Sequence, residues 1–467
     1  MVFSSLTFLY VFLPVVFLLY FILPKKAKNI VLLLSGLLFY AWGEPVYVLL
    51  LILTASVDYT AGRLLDKYDD RPKLRASFLI GALVINLGLL AVFKYTSFFV
   101  VNANGLFGLN INDPKLPLPI GISFYTFQSL SYTLDMYMRK IKVQKNYLSY
   151  LTYVTLFPQI VAGPIVRYSD VANEIDERKT TVSLAGEGVG QFVRGLGKKV
   201  LLANNIGALW TLVKGIPADE LPMMTAWLGI LAFTFQIYFD FSGYSDMACG
   251  LGKVMGFHFP ENFNYPYLSK SISEFWRRWH ITLGSWFKSY VYIPLGGNRG
   301  GTAKTLRNLL VVWFLTGLWH GASWNFILWG VYYGVIIICE KLFLMKFLDK
   351  LPSFIRIVYS FFLVVMGWVL FDIDGLGAAG NFYKALFGFG KGGLMDGNSL
   401  YLLSTYALIF VLCILGSTDY PKKLANKLIH KFKYACYLAP AYELGLMLVC
   451  TAFLVNATYN PFLYFRF

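Results

Sequence analysis

Charge is scarce in this chain. Only 14% of its 467 residues are Asp, Glu, Lys or Arg, against about 25% in a soluble globular domain. An ordinary water-soluble fold is thereby excluded. Histidine is rarer still, with four residues at 258, 280, 320 and 430. The five cysteines (Cys249, Cys339, Cys413, Cys436, Cys450) form no C-x-x-C pair and lie mostly in apolar segments. Neither a disulfide framework nor a zinc site is expected from them, and we read them as packing residues. No H-E-x-x-H, Walker loop or G-x-S-x-G elbow occurs, so no metal is expected and two common hydrolytic chemistries lose their signatures. No internal repeat is visible, which argues against transporter folds built on repeats. The first apolar segment has neither a basic n-region nor a small-residue cleavage site and reads as a retained span.

What remains is apolar. Hydrophobic residues make up 57% of the chain and aromatics 18%, and apolar runs long enough to cross a bilayer recur throughout. The fold class expected is an all-α polytopic membrane protein with about 10–12 membrane-inserted helices. Lys and Arg outnumber Asp and Glu 41 to 25, for a net charge of +16. We assign this excess to loops that orient the chain against an anionic inner leaflet and attract an anionic cytoplasmic substrate, with membrane lipid and not nucleic acid as the partner. The basic stretches PKKAKN (24–29), RLLDKYDDRPKLR (63–75), MRKIKVQK (138–145) and YPKKLANKLIHKFKY (420–434) are expected in the cytoplasm, with both termini outside. The stretch VNANGLFGLNINDPK (101–115), poor in Lys and Arg, reads as an outer loop.

Three segments depart from simple spans. The run of roughly 147–163 contains Pro158 and Gly163 and is followed at once by Pro164, residues that break helices. It reads as re-entrant, with broken backbone sheltered by protein. Residues 264–308 mix Trp and Tyr with the densest basic charge and read as interfacial helices and a glycine-rich loop at the cytoplasmic face. The run between Arg307 and Lys341 would be roughly 50 Å long as one helix. It is therefore steeply tilted or turns near HGASWN. Either geometry carries His320 about 20 Å from Arg307, near mid-membrane.

An ionisable residue inside a span is a functional candidate by default. His320 is the clearest, and the plainer alternative is a neutral imidazole serving as packing glue. Gly317 and Gly321 flank it, leaving space for a ligand or a close helix, and Trp319, Trp324 and Asn325 offer aromatic walls and polar groups. His280, in FWRRWHITL, is the second candidate, because two histidines can supply a base and its partner. Asp240 and Asp246 in YFDFSGYSD are expected to pair with Arg277, Arg278 or a lysine, chiefly as a structural network. PLGGNRGG (294–301) is either a phosphate cradle with Arg299 or a plain turn.

The stretches WRRWHITLGSWFKSYVYIPLGGNRGG and GLWHGASWNFILWG resemble the membrane-bound O-acyltransferase superfamily, and within it the alginate O-acetyltransferase branch of bacterial cell-envelope acetyltransferases. LPIGISFYTFQSLSYTLDMY, FPQIVAGPIVRY, GLGKKVLLAN and QIYFDFSGYSDMACG extend the resemblance in order over about residues 118–335. We read 1–467 as one membrane domain with 118–335 as its motif-bearing core. The resemblance implies a ring of helices around a tunnel and acyl transfer across a bacterial cytoplasmic membrane. The donor would be a cytoplasmic thioester, acetyl-coenzyme A or another, and the acceptor an extracytoplasmic polysaccharide or peptidoglycan, reached with a serine-hydrolase-like partner. It places the functional histidine at His320 and the second polar position, Asn in many eukaryotic relatives, at His280.

On this picture His320 is a general base or an acyl-carrying nucleophile. Arg277, Arg278, Lys288 and Arg299, with Trp276, are the donor-binding set. Trp319 and Asn325, with the two aspartates, line the tunnel or brace it. Tyr464, in the terminal FLYFRF, is an acyl relay or an interfacial anchor. Two other readings compete: transfer of D-alanyl or another acyl group to an envelope polymer, and a transporter or channel with His320 as a proton relay.

Overall fold

The most and the least apolar of the long helices differ sharply in burial. The computed structural model describes residues 1–431, 438–456 and 463, and among them no strand forms, only one isolated bridge. In chain order the helices are α1 (Phe8–Ile22), α2 (Lys28–Ala41), α3 (Val48–Lys67), α4 (Pro72–Phe107), α5 (Ile122–Tyr137), α6 (Tyr147–Thr155) and α7 (Tyr168–Glu177). There follow α8 (Val182–Gly197), α9 (Asn204–Lys214), α10 (Met223–Met255), α11 (Ile272–Arg278), α12 (Ile281–Phe287) and α13 (Thr302–His320). The last six are α14 (Trp324–Leu348), α15 (Ser353–Asp372), α16 (Leu376–Leu386), α17 (Gly397–Gly416), α18 (Tyr420–Lys431) and α19 (Leu438–Asn456). Seven of these (α3, α4, α10, α14, α15, α17 and α19) are long and apolar enough to cross a membrane.

α4 has a mean hydropathy of 2.3 and only 17% of its apolar stretch is buried, whereas α10, at 1.2, is 83% buried. In lipid the most apolar surface faces outward, and helices with Asp, Gln, Ser and Thr turn inward where protein can satisfy them. The charges of α10 explain its enclosure.

The chain divides into two compact units interleaved in sequence. The first comprises Met1–Phe192 with Tyr244–Glu261 and the second Val193–Gly243 with Asn262–Leu463. In the first, Asp58 on α3 is fully buried and accepts from Asn86 Nδ2 on α4 (3.0 Å) and Thr133 Oγ1 on α5 (2.6 Å). α6 stops at Thr155, ahead of Pro158. The irregular chain beyond it is almost wholly enclosed, with Phe157, Ile160, Ala162 and Val166 at 0% exposure. Two hydrogen bonds tie it to α6: Gln159 Nε2 donates to the Tyr153 carbonyl at 2.6 Å, and Tyr153 OH to the Val166 carbonyl at 2.9 Å. The stretch 101–115 is not all loop. α4 continues to Phe107, its Asn102 amide turned back onto the Phe98 carbonyl (2.7 Å), and ends at left-handed Gly108 (φ 64°).

In the second unit the run from Arg307 to Lys341 turns at HGASWN. α13 ends at His320, and Ser323 caps the first turn of α14. The two helices meet at backbone distance. A methyl group on Gly317 would lie 2.4 Å from the Phe326 carbonyl oxygen, and one on Gly330 2.3 Å from that of Trp313. The glycines beside His320 therefore admit a close helix. Gly317→Ala, at an ordinary helical backbone, is expected to cost about 1–3 kcal/mol through this clash alone. Thermal unfolding of the detergent-solubilised protein measures it, and an unchanged midpoint would count against the close crossing. Asp396 caps α17, where the Ser399 hydroxyl and backbone N–H hold its carboxyl below the usual range.

Candidate active site

Two buried histidines converge on one tryptophan. His320 is the last residue of α13 and is 3% exposed. Its ring lies 4.9 Å from Trp319, 5.0 Å from Trp329 and 5.3 Å from Phe371, all edge-to-face. His280 is 2% exposed and stands 5.9 Å from the same Trp319 ring, with Phe241 of α10 at 4.8 Å.

His280 owes its position to a short antiparallel pairing. Phe263 bridges Trp279, Asn264 N–H donates to the Arg278 carbonyl (2.9 Å), and Ile281 N–H donates to the Asn262 carbonyl (3.0 Å). The pairing drives His280 into the left-handed region (φ 45°, ψ 53°) at the start of α12. Such a conformation is costly for a non-glycine residue, and strain of this kind clusters at functional sites.

α11, which leads into His280, is anchored from α14. The buried Glu340 carboxylate accepts from the Ile272 and Ser273 backbone N–H groups (2.7 and 2.9 Å) and from Ser273 Oγ (2.7 Å). A carboxylate at a helix N-terminus satisfies the otherwise orphaned amides and complements the helix dipole. A 490 Å³ cavity opens beside α11, lined by Arg277, Lys288 and Lys341 together with Ser271, Tyr292 and Asn298. Three cations on one cavity suit an anionic, phosphate-bearing ligand. Asn298 Oδ1 accepts from Tyr292 OH and, at 3.3 Å, from Lys341 Nζ, tying the glycine-rich turn to α14.

Of the expected donor-binding set, Arg277 and Lys288 meet on this cavity and the others do not. Arg278 turns to Glu274 (2.7 Å). Arg299 is exposed on the 294–301 turn. Within that segment the Gly296, Gly297 and Arg299 amides donate to the Ile293, Tyr292 and Gly296 carbonyls, the hydrogen bonding of a turn. Trp276 packs its ring among Trp313 (4.9 Å), Trp329 (5.3 Å) and Tyr333 (4.9 Å). It forms, with Trp329, an aromatic chain from α11 to His320. Neither histidine lines the cavity.

Trp324 is 53% exposed, and Trp329 and Phe371 stand beside the His320 ring. Asn325 is buried and donates to the Ile373 carbonyl (2.8 Å), a brace between α14 and the end of α15. Asp240 pairs with a lysine, Lys199 of the GLGKKVLLAN stretch, at 2.5 Å, and both side chains are at most 3% exposed. The second carboxylate oxygen of Asp240 accepts the backbone N–H of Leu463 (2.8 Å). Asp246 is half-buried and accepts from the Gln191 amide (3.4 Å). Tyr464 lies outside the described residues.

Residues 129–371 match the model of the MBOAT, membrane-bound O-acyltransferase family. The chain is 40% identical over 423 residues to the probable alginate O-acetylase AlgI of Pseudomonas aeruginosa, covering 89% of this chain and 80% of that protein. It is 32% identical over 488 residues to a peptidoglycan O-acetyltransferase of Helicobacter pylori, covering 97% and 89%. Identity to a teichoic acid D-alanyltransferase of Bacillus subtilis is 28% over 272 residues, covering 54% and 68%.

Proposed function

The chain belongs to the membrane-bound O-acyltransferase family and is a multi-pass membrane acyltransferase, and from that premise we propose that it O-acetylates an extracytoplasmic polysaccharide or peptidoglycan. The donor is a cytoplasmic thioester, acetyl-coenzyme A, and the setting is a bacterial cytoplasmic membrane with both termini outside. One observation carries the reading: two buried histidines share Trp319, and the helix leading to His280 presents Arg277 to a cavity with Lys288 and Lys341.

In this proposal His320 takes the proton of the attacking hydroxyl and His280 assists from the other side of Trp319. The cationic cavity binds the donor's phosphates, and an extracytoplasmic serine-hydrolase-like partner carries the acetyl group onward. Tyr464 is the relay between enzyme and partner. The hold of Asp240 on the N–H of Leu463, the residue before it, supports a fixed start for that tail.

Arg277→Ala and Lys288→Ala are each expected to raise KM for acetyl-coenzyme A about tenfold or more, the loss of a charged hydrogen bond, with kcat little changed. Steady-state kinetics in proteoliposomes check this. A fall in kcat at constant KM would remove these residues from donor binding.

The likeness to a D-alanyltransferase keeps a second acyl group in view. Incubation with labelled acetyl-coenzyme A, and in parallel with a D-alanyl carrier-protein thioester, identifies the donor. Label transferred only from the second would replace acetyl with D-alanyl. Solute flux in vesicles without any acyl transfer would favour the proton-relay transporter.

A further inference from the structure

We infer that Asn262 is a positioning residue for His280, fixing its neutral ring with the proton on Nδ1 and so making Nε2 the nitrogen that can take a proton. The inference deepens the proposed acyltransferase mechanism and rests on it only for the catalytic consequence, since the assignment of the tautomer follows from hydrogen-bond chemistry.

The side-chain atom of Asn262 nearest His280 also faces the backbone N–H of Thr282, at 3.2 Å. A backbone N–H can only donate. The Asn262 atom opposite it is therefore the amide oxygen, and the Thr282 hydroxyl donates to it as well, at 2.9 Å. An amide oxygen can only accept. His280 Nδ1 lies 3.1 Å from that oxygen, so it must carry a hydrogen, and in a neutral imidazole the lone pair then resides on Nε2.

The same residue fixes the ring's backbone. The Asn262 carbonyl accepts the Ile281 N–H at 3.0 Å, on the far side of the left-handed His280. One asparagine thus sets both where the ring stands and which nitrogen is basic. Asn262 is 2% exposed and is not among the residues of the cationic cavity. Its effect should reach the chemical step through His280 and not through donor affinity.

The direct test is nitrogen-15 solid-state NMR of the full chain in lipid vesicles with labelled histidine. Four histidines keep the spectrum simple, and subtracting the spectrum of His280→Gln isolates the ring. The expected signature is a protonated Nδ1 and an unprotonated Nε2, and the opposite tautomer overturns the inference. Asn262→Ala should mix the two forms and lower kcat roughly 10–100-fold, as loss of an orienting partner does elsewhere, with KM for the donor unchanged. Asn262→Asp retains the acceptor and should restore the Nδ1–H signature and most of kcat. A merely structural Asn262 would move melting temperature and leave the tautomer alone, and an unchanged tautomer in Asn262→Ala sinks the proposal. If His280→Ala keeps full activity, the catalytic reading of His280 fails while the NMR assignment stands or falls by itself.

Discussion

His320→Ala is expected to reduce acetyl transfer from labelled acetyl-coenzyme A by about 10²–10⁴-fold, the usual contribution of a positioned base. A thioester and an alcohol react slowly because the alcohol's proton must leave as the carbon–oxygen bond forms. The proposed acceptor is His320, whose ring is enclosed by Trp319, Trp329 and Phe371. The cationic cavity proposed for the donor is lined by other residues, so binding of acetyl-coenzyme A should persist in the variant. Loss of transfer with retained binding and an unshifted melting temperature is the expected combination. His280→Ala should act on the same step, and the double variant should be little worse than the poorer single one, because residues that work as a unit are not additive. Full transfer in His320→Ala would end the base assignment. An acetyl label trapped on the ring by rapid quenching, labile to acid and to hydroxylamine as an acylimidazole is, would make His320 the nucleophile instead.

The largest expected effect on stability belongs to the buried pair Lys199–Asp240. At 3% and 1% exposure these two charges are enclosed together, and removing either strips the other of the opposite charge facing it at 2.5 Å. Asp240→Ala is expected to cost about 3–5 kcal/mol, and Lys199→Met a comparable amount. The paired change Lys199→Met with Asp240→Leu should recover most of that loss, since replacing both members of a buried pair by apolar residues is often neutral. Unfolding midpoints of the four proteins in one detergent supply the measurement. A single variant as stable as the parent would show that the pair is not holding α10. The Leu463 N–H loses its acceptor in both Asp240 variants. Detachment of the C-terminal tail, read by limited proteolysis, should therefore follow Asp240 and not Lys199.

Much of this was legible in the residues because lipid magnifies simple signals. An imidazole in an apolar run costs energy wherever it goes, which makes His320 conspicuous, and Pro158 accounts for the end of α6 at Thr155. The basic side chains of 264–308 announced a charged surface, yet only Arg277 and Lys288 reach the cavity. Their third partner, Lys341, lies 64 and 53 positions from them by number and comes together with them only because α13 and α14 fold back at HGASWN. Glu340, one residue earlier, was silent for the same reason: its task is to cap a helix far away in sequence. Asn262 has even less of a local signature. Its importance lies in a turn that brings it to a residue 18 positions on, and asparagine in a polar loop carries no periodic signal. Trp329 was one tryptophan among 11, and nothing local distinguishes the ring that walls His320 from those that pack elsewhere.

The left-handed backbone at position 280 also acts as a filter on the amino-acid alphabet. β-Branched and bulky side chains are nearly barred from that conformation, while asparagine, aspartate and histidine enter it far more readily than other non-glycine residues. Asparagine and histidine are the two residues that the resemblance to acyltransferases associates with this place. The torsion angles at one residue thus narrow which polar side chains could stand here, before any question of their chemistry arises.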